Sequence, residues 1–252
     1  MYRFFDHEKE GTVNNFAVLF LSSNEMGYDS IEEIQKQTHE WAFIKELPET
    51  IGVFKKKITD YIEGQVLFIC RYEAPELRAS VDLTYSAETF DYILVRTMGL
   101  NSFRDVRLIY KERDVFEEKT KKYLPLVISN MEHPEQVNLG ELYEAKKVED
   151  WEFGKTLPKK IGSFELYIDP SHAIEHINGS IILIDYSDFA RRDQLIIMYN
   201  RLRDEFFGEL KVNSVFRTTT SFDGRNVKEL EDKLKKNLEP TLKWVSETDH
   251  TI

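Results

Sequence analysis

The stretch WAFIKELPETIGVF, residues 41–54, returns as WEFGKTLPKKIGSF at 151–164. Trp41, Phe43, Leu47, Pro48, Ile51, Gly52 and Phe54 recur as Trp151, Phe153, Leu157, Pro158, Ile161, Gly162 and Phe164, every pair 110 apart. Ordinary composition yields roughly one chance match in such a window, and the matched types include Trp, Pro and Gly, so an internal duplication is expected.

Outward from this core the correspondence continues with small insertions. Gly64, before the β-prone run Gln65 to Cys70, matches Gly179 before Ser180 to Asp185, 115 apart, so the second half has gained about five residues there. Gly99 matches Gly208, and Lys121, Lys122 and Leu124 match Lys235, Lys236 and Leu238. Each LPxxIGxF segment with its following strand reads as a hairpin bounded by Gly or Pro. Leu195, Tyr199, Leu202 and Phe206, at spacings of four, three and four, predict a helix closed by Gly208, with Ala87 to Met98 as its counterpart before Gly99. Strands are expected over Phe103 to Tyr110 and Val212 to Ser221. A final helix begins at an Asn226 N-cap, with Val227, Leu230, Leu234 and Leu238 on one face.

The expected fold is α+β: a tandem duplication of a ββαβα-type unit. Its two sheets, or one composite sheet, would be packed with helices in a pseudo-two-fold arrangement. The units are residues 1–132, with an extra first strand at Asn15 to Leu21, and residues 133–252. Val81, Leu83 and Tyr85 alternate with polar residues, a period-two pattern seen only in the first unit, where it predicts an additional edge strand. The join near Glu132 to Glu135 is short and polar, so the units are expected to pack together, and clefts at such interfaces are common binding sites.

Composition narrows the function. Forty-five acids against 34 bases give a formal charge of −11, which repels nucleic acid and favours a basic protein partner or simple solubility. Apolar runs such as Phe16 to Leu21 are too short to cross a bilayer, and the first eleven residues lack the pattern of a secretory signal, so a cytoplasmic, non-membrane protein is expected. The single cysteine, Cys70, excludes an internal disulfide and reads as a small core residue. Lys55, Lys56 and Lys57 read as a solvated or protected strand edge.

His172-Ala-Ile-Glu175-His176 matches the H-x-x-E-H string of inverzincin metallopeptidases, in which two helical histidines hold zinc and the glutamate activates water. Pro170 before it and Asn178-Gly179 after it leave little room for a helix, so a longer exposed loop is the competing reading. Asp185 and Asp188, leaving the end of a strand, are candidates for partner binding, against a turn in which Asp and Ser satisfy local backbone donors. G-x-S-x-G, Walker and G-x-G-x-x-G patterns are absent, and no cofactor is expected. No particular family is suggested. The leading expectation is a noncatalytic acidic protein-binding module, such as an immunity or antitoxin-like inhibitor of a basic protein. The alternatives are a metal-dependent hydrolase using His172, Glu175 and His176, or a small-molecule sensor with its pocket between the repeats.

Overall fold

The computed structural model describes residues 29–176 and 179–248. The chain is mixed α+β, with two antiparallel sheets and few helices. The first sheet is a meander of β1 (Thr50–Ile51), β2 (Phe54–Glu63), β3 (Val66–Ala74), β4 (Ala79–Ser86), β5 (Asp91–Met98) and β6 (Asn101–Tyr110). Two short helices, α1 (Ile31–His39) and α2 (Ala42–Glu46), precede it, and a long one, α3 (Arg113–Glu132), follows.

After α3 the chain passes through α4 (Glu141–Glu144) and α5 (Glu152–Lys155) into the second sheet. Its strands are β7 (Lys160–Ile161), β8 (Phe164–Ile168), β9 (Ile174–Glu175), β10 (Ser180–Asp188), β11 (Asp193–Asn200), β12 (Glu205–Val212) and β13 (Val215–Thr218). The order is β13-β12-β11-β10-β8-β7, with β9 sharing the β8 edge of β10. A final helix, α6 (Val227–Glu247), closes the described chain. No helix among the described residues is long and apolar enough to cross a membrane.

The recurring segment serves the same contacts in both places. Leu47 and Leu157 are buried, and the carbonyls of Pro48 and Pro158 accept hydrogen bonds from Tyr72 Oη (2.5 Å) and Tyr186 Oη (2.7 Å). Gly52 and Gly162 take φ of +54° and +60°, turning the chain so that Phe54 and Phe164 enter the core. The indole N–H of Trp41 donates to Glu117 Oε2 on α3 at 2.8 Å, and that of Trp151 to Glu231 Oε2 on α6 at 2.9 Å. Each glutamate also pairs with a lysine one turn on, Lys121 or Lys235, whose ammonium stands over Phe43 or Phe153. Each segment thus fastens a sheet to the long helix that covers it.

Helix α6 follows its sequence signature: Asn226 Oδ1 accepts from Glu229 N at 2.9 Å, and Leu230, Leu234, Leu238 and Leu242 are buried. The helix predicted over Leu195 to Phe206 is instead β11, a turn and β12, and the one predicted over Ala87 to Met98 is a turn followed by β5. Residues 193–199 of β11 are all buried, because the strand is covered on both faces. Leu195, Ile197 and Tyr199 belong to the core beneath α6, while Ile196 and Met198 join the core of the first sheet. A strand buried on both sides loses its polar alternation and gives chance helical spacings, and Leu202, needed for the helical face, lies exposed in the turn. The alternating strand of the first unit, β4, is internal rather than an edge, and β11 occupies the matching place in the second sheet. Lys56 departs from a solvated edge: its side chain is buried, donates to Leu47 O at 2.6 Å and pairs with Glu49. Cys70 is fully buried, and burial pushes its thiol up to about 12. The expected strand Asn15 to Leu21 lies outside the described residues.

The sheets meet where Ala79 and Met98 of the first join one apolar cluster with Ile168, Ile174, Ile182, Ile196 and Met198 of the second. Tyr167 Oη donates to Leu77 O at 2.6 Å, and Arg78 pairs with Glu165 while lying 3.8 Å from the Phe189 ring centroid. Gly99 sits at φ +60° against the Tyr167 ring, and a Cβ there would lie 2.6 Å from Tyr167 Cε1. Gly64 has a similar φ, +59°, with nothing within 4 Å of a Cβ. Gly64→Ala is therefore expected to cost about 1–2 kcal/mol of backbone strain, and Gly99→Ala at least about 1 kcal/mol more from overpacking. Urea denaturation of both variants checks this; equal losses would mean that the Gly99–Tyr167 contact does not constrain the junction.

Candidate functional site

The register of the second sheet dictates what faces the first. Opposed residues of an antiparallel pair lie on the same face, which gives three rows: Ile174, Ile182, Met198 and Phe207; Ile168, Asp185, Ile196 and Glu209; Glu165, Ser187, Gln194, Lys211 and Phe216. Polar side chains thus stand among apolar ones on a face largely removed from water.

Asp185 is fully buried. Its Oδ2 accepts from Gln194 Nε2 and from Asn101 Nδ2, both at 2.8 Å, and its Oδ1 accepts from Ser187 Oγ at 2.6 Å. Asn101 opens β6, so this carboxylate receives a donor from each sheet. Burial pushes the Asp185 carboxyl up to about 6, against the pull of Ser187, Asn101, Gln194 and the Lys211 charge. The donor role of Gln194 fixes its amide orientation and leaves Oε1 buried with no hydrogen-bond partner among the described residues.

Beside this network lies a cleft of about 330 Å³. The first sheet contributes Asn101 to Arg104, and the second contributes Ile182, Ile196, Met198, Glu209, Lys211 and Phe216, with His176 at the margin. Phe103 is held between the Arg96 guanidinium, 4.5 Å from its centroid, and the His176 ring at 4.8 Å. Arg96 is fixed in turn by buried Asp105, which accepts two hydrogen bonds from the Arg107 guanidinium, at 2.9 and 2.7 Å. Burial alone would raise the Asp105 carboxyl, but the bonds from Arg107 and the Arg96 charge hold it below the usual range.

Lys211 is nearly buried, and among the described residues its ammonium hydrogen-bonds only to Leu100 O and Asn101 Oδ1, both at 3.4 Å, with the Phe216 ring 4.9 Å away. No carboxylate among the described residues reaches this ammonium at ion-pair distance, although the charges of Asp185 and Glu209 act on it from farther off. Burial lowers its pKa, and burial raises that of Glu209, two residues away on the same face. A larger cavity, about 540 Å³, lies between the Ile161–Phe164 turn and Pro240 of α6, and one of about 250 Å³ lies at the corresponding place beside Pro125 of α3. Each is a gap where a proline-bearing helix crosses its hairpin, and neither holds a buried charge without a close partner.

The residues singled out in the sequence fall differently. His172 ends a 3-10 turn, Pro170–His172, where Nδ1 lies 3.1 Å from Asp169 Oδ1, and Ile174–Glu175 is a strand, so the helix required by H-x-x-E-H does not form. Glu175 accepts from Arg201 at 3.0 Å, and His176 packs on Phe103. Among the described residues no group of three or more His, Cys, Asp or Glu side chains is placed to hold a metal ion. Asp188 accepts from the backbone N–H groups of Ala190 and Arg191, each at 3.1 Å, and so shapes the turn into β11. Asp185 does not lie in a turn but sits in the buried network.

Lys211 carried no sequence signal as a site. The pattern Glu209-Leu210-Lys211-Val212 places Glu209 and Lys211 on one face, but nothing local reveals that Asn101 lies opposite.

The pH dependence of Asp185 is open to test. Its folded pKa exceeds that of an unfolded aspartate, so its contribution to stability is fully present below about pH 4 and is lost as pH rises to about 6, amounting to about 3 kcal/mol. Asparagine can keep the geometry, its oxygen accepting from Asn101 and Gln194 and its nitrogen donating to Ser187. Asp185→Asn is expected to be more stable than the wild type at pH 7 by roughly 1–3 kcal/mol, with the gap closing towards pH 4. Denaturant melts of both proteins at pH 4, 5.5 and 7 measure it, and a gap independent of pH would refute the assignment. No family model, curated protein or solved structure matches the chain.

Proposed function

We propose that the protein is a noncatalytic binding module made of two diverged copies of one unit, residues 1–132 and 133–252, and that it senses a small molecule held in the cleft between them. The recurring tyrosine–proline carbonyl and tryptophan–glutamate contacts support the duplication. One observation carries the binding reading: the cleft is walled by both sheets and contains a nearly buried lysine with no ion-pair partner among the described residues. The charges of Asp185 and Glu209 act on this ammonium from beyond ion-pair distance, but no carboxylate among the described residues bonds to it directly, and an arriving anion can supply that contact. A molecule touching Asn101 to Arg104 on one side and Lys211 and Phe216 on the other would also stiffen the junction of the sheets. Occupancy would then be reported to the outer surface.

A screen of small metabolites by thermal shift tests this. Ligands of the cleft are expected to raise the melting temperature of the wild type in a concentration-dependent manner and to have no effect on Met198→Trp, in which the cleft is filled. A hit list identical for the two proteins would dismiss the cleft as the site. The formal charge of −11 favours a second reading, capture of a basic protein by the acidic surface. Binding of that kind would weaken steeply between low and high salt and would be indifferent to Met198→Trp.

A further inference from the structure

Resting on the reading of the cleft as a binding site, we propose that its ligand is a small monocarboxylate with an apolar body, its carboxylate taken by Lys211 and its body lying against Phe103, Ile196, Met198 and Phe216.

Lys211 gives the anionic half. An ammonium has three donors, and the two acceptors within reach, Leu100 O and Asn101 Oδ1, are neutral and 3.4 Å away. Charge-assisted N–H to carboxylate bonds are about 2.7–2.9 Å long. The nearby internal carboxylate does not fill the role, because both oxygens of Asp185 are already engaged by Asn101, Gln194 and Ser187. The lysine is thus positioned by its strand and left with unspent hydrogen-bonding capacity facing the cleft.

The surroundings select among anions. Glu209 lines the same cleft, and Asp185 lies in the same row of the sheet, on the far side of Ile196. A phosphate or dicarboxylate would bring two charges to a cleft whose lysine already feels Asp185 and Glu209, whereas a monocarboxylate adds one, met by Lys211 with the exposed Arg104 on the same lining. The buried part of the remaining wall is apolar: Phe103, held between Arg96 and His176, and Ile196 and Met198, while Ser102 and Arg104 lie on its exposed side. Phe216, 63% exposed, stands at the mouth above the Lys211 ammonium. About 330 Å³ is the lower end of small-molecule sites, suited to a short aliphatic or a single-ring acid rather than a cofactor.

Isothermal titration calorimetry of the full chain with acetate, hexanoate, octanoate, benzoate and phenylacetate tests the assignment, alongside the matching primary amides and inorganic phosphate. Hexanoate, octanoate or the aromatic acids are expected to bind at least tenfold tighter than acetate, than their own amides and than phosphate. Lys211→Met, which retains the stem volume, is expected to weaken the best acid at least tenfold and to leave amide binding unchanged. Phe216→Ala, at the exposed mouth, is expected to weaken acid and amide alike and provides a second variant if Lys211→Met does not fold. Equal affinity for acids and amides, or undiminished acid binding by Lys211→Met, would overturn the carboxylate assignment. Amides that bind the wild type as tightly as their acids, and do not bind Met198→Trp, would do the same while leaving the cleft as a binding site. Absence of binding by every probe, with no metabolite distinguishing wild type from Met198→Trp, would remove both.

Discussion

The carboxylate of Asp185 lies on the central strand of the second sheet with three donors around it, and one of these, the Asn101 amide, belongs to the other sheet. An ionised group fully removed from water is tolerated only when its lone pairs are met. That requirement makes the sheet junction specific: an apolar face accepts many sliding positions, whereas a fixed carboxylate accepts the one that brings Asn101 into reach. The Tyr167–Leu77 hydrogen bond and the close packing of Gly99 on Tyr167 hold the same position from the other end. Lys211 stands between these anchors because its strand neighbour is Gln194, itself committed to Asp185.

Much of this architecture was readable in the residues, and the reasons are local. The LPxxIGxF segment carries its own explanation in a buried leucine, a proline carbonyl, a positive-φ glycine and a core phenylalanine, so its recurrence marks the start of each sheet. Asn226 and the leucines four apart behind it need no tertiary information to specify α6. Asp188 does what an Asp before a turn is expected to do. The failures arise where tertiary packing overrides local pattern: β11 is covered on both faces, so its continuous apolar run resembles a buried helix as well as a strand. Asp185, set within Ile-Leu-Ile-Asp-Tyr, was conspicuous for the same reason, but whether it capped a turn or crossed a junction depended on a partner 84 positions away.

The cleft was legible only in outline. A repeated segment followed each time by strands, with a short polar stretch between, implies a junction, and junctions tend to be concave. Which lysine would lie in it was not available, since Lys211 differs from other strand lysines only through what the first sheet places opposite. The same holds for His176. In the sequence it completes a metal-binding string, but in the fold the string is divided between a 3-10 turn and a short strand that interrupt the edge of β10, and the imidazole supports Phe103.

The first sheet is a meander in which each strand pairs with the next, and its covering helix ends at Glu132, so every strand pairing in it is made by residues that precede the second sheet in the sequence. During synthesis the first sheet and α3 can therefore close while the ribosome is still translating the remainder. At about 5–20 residues per second, the 80 residues from the end of α3 to the end of β12 take roughly 4–16 s. Over that interval the surface formed by Ala79, Met98, Asn101 and Phe103 has no cover from β10 to β12. A nascent chain that closed its first sheet early would display this largely apolar surface for that time, and chaperone engagement during translation would be concentrated there.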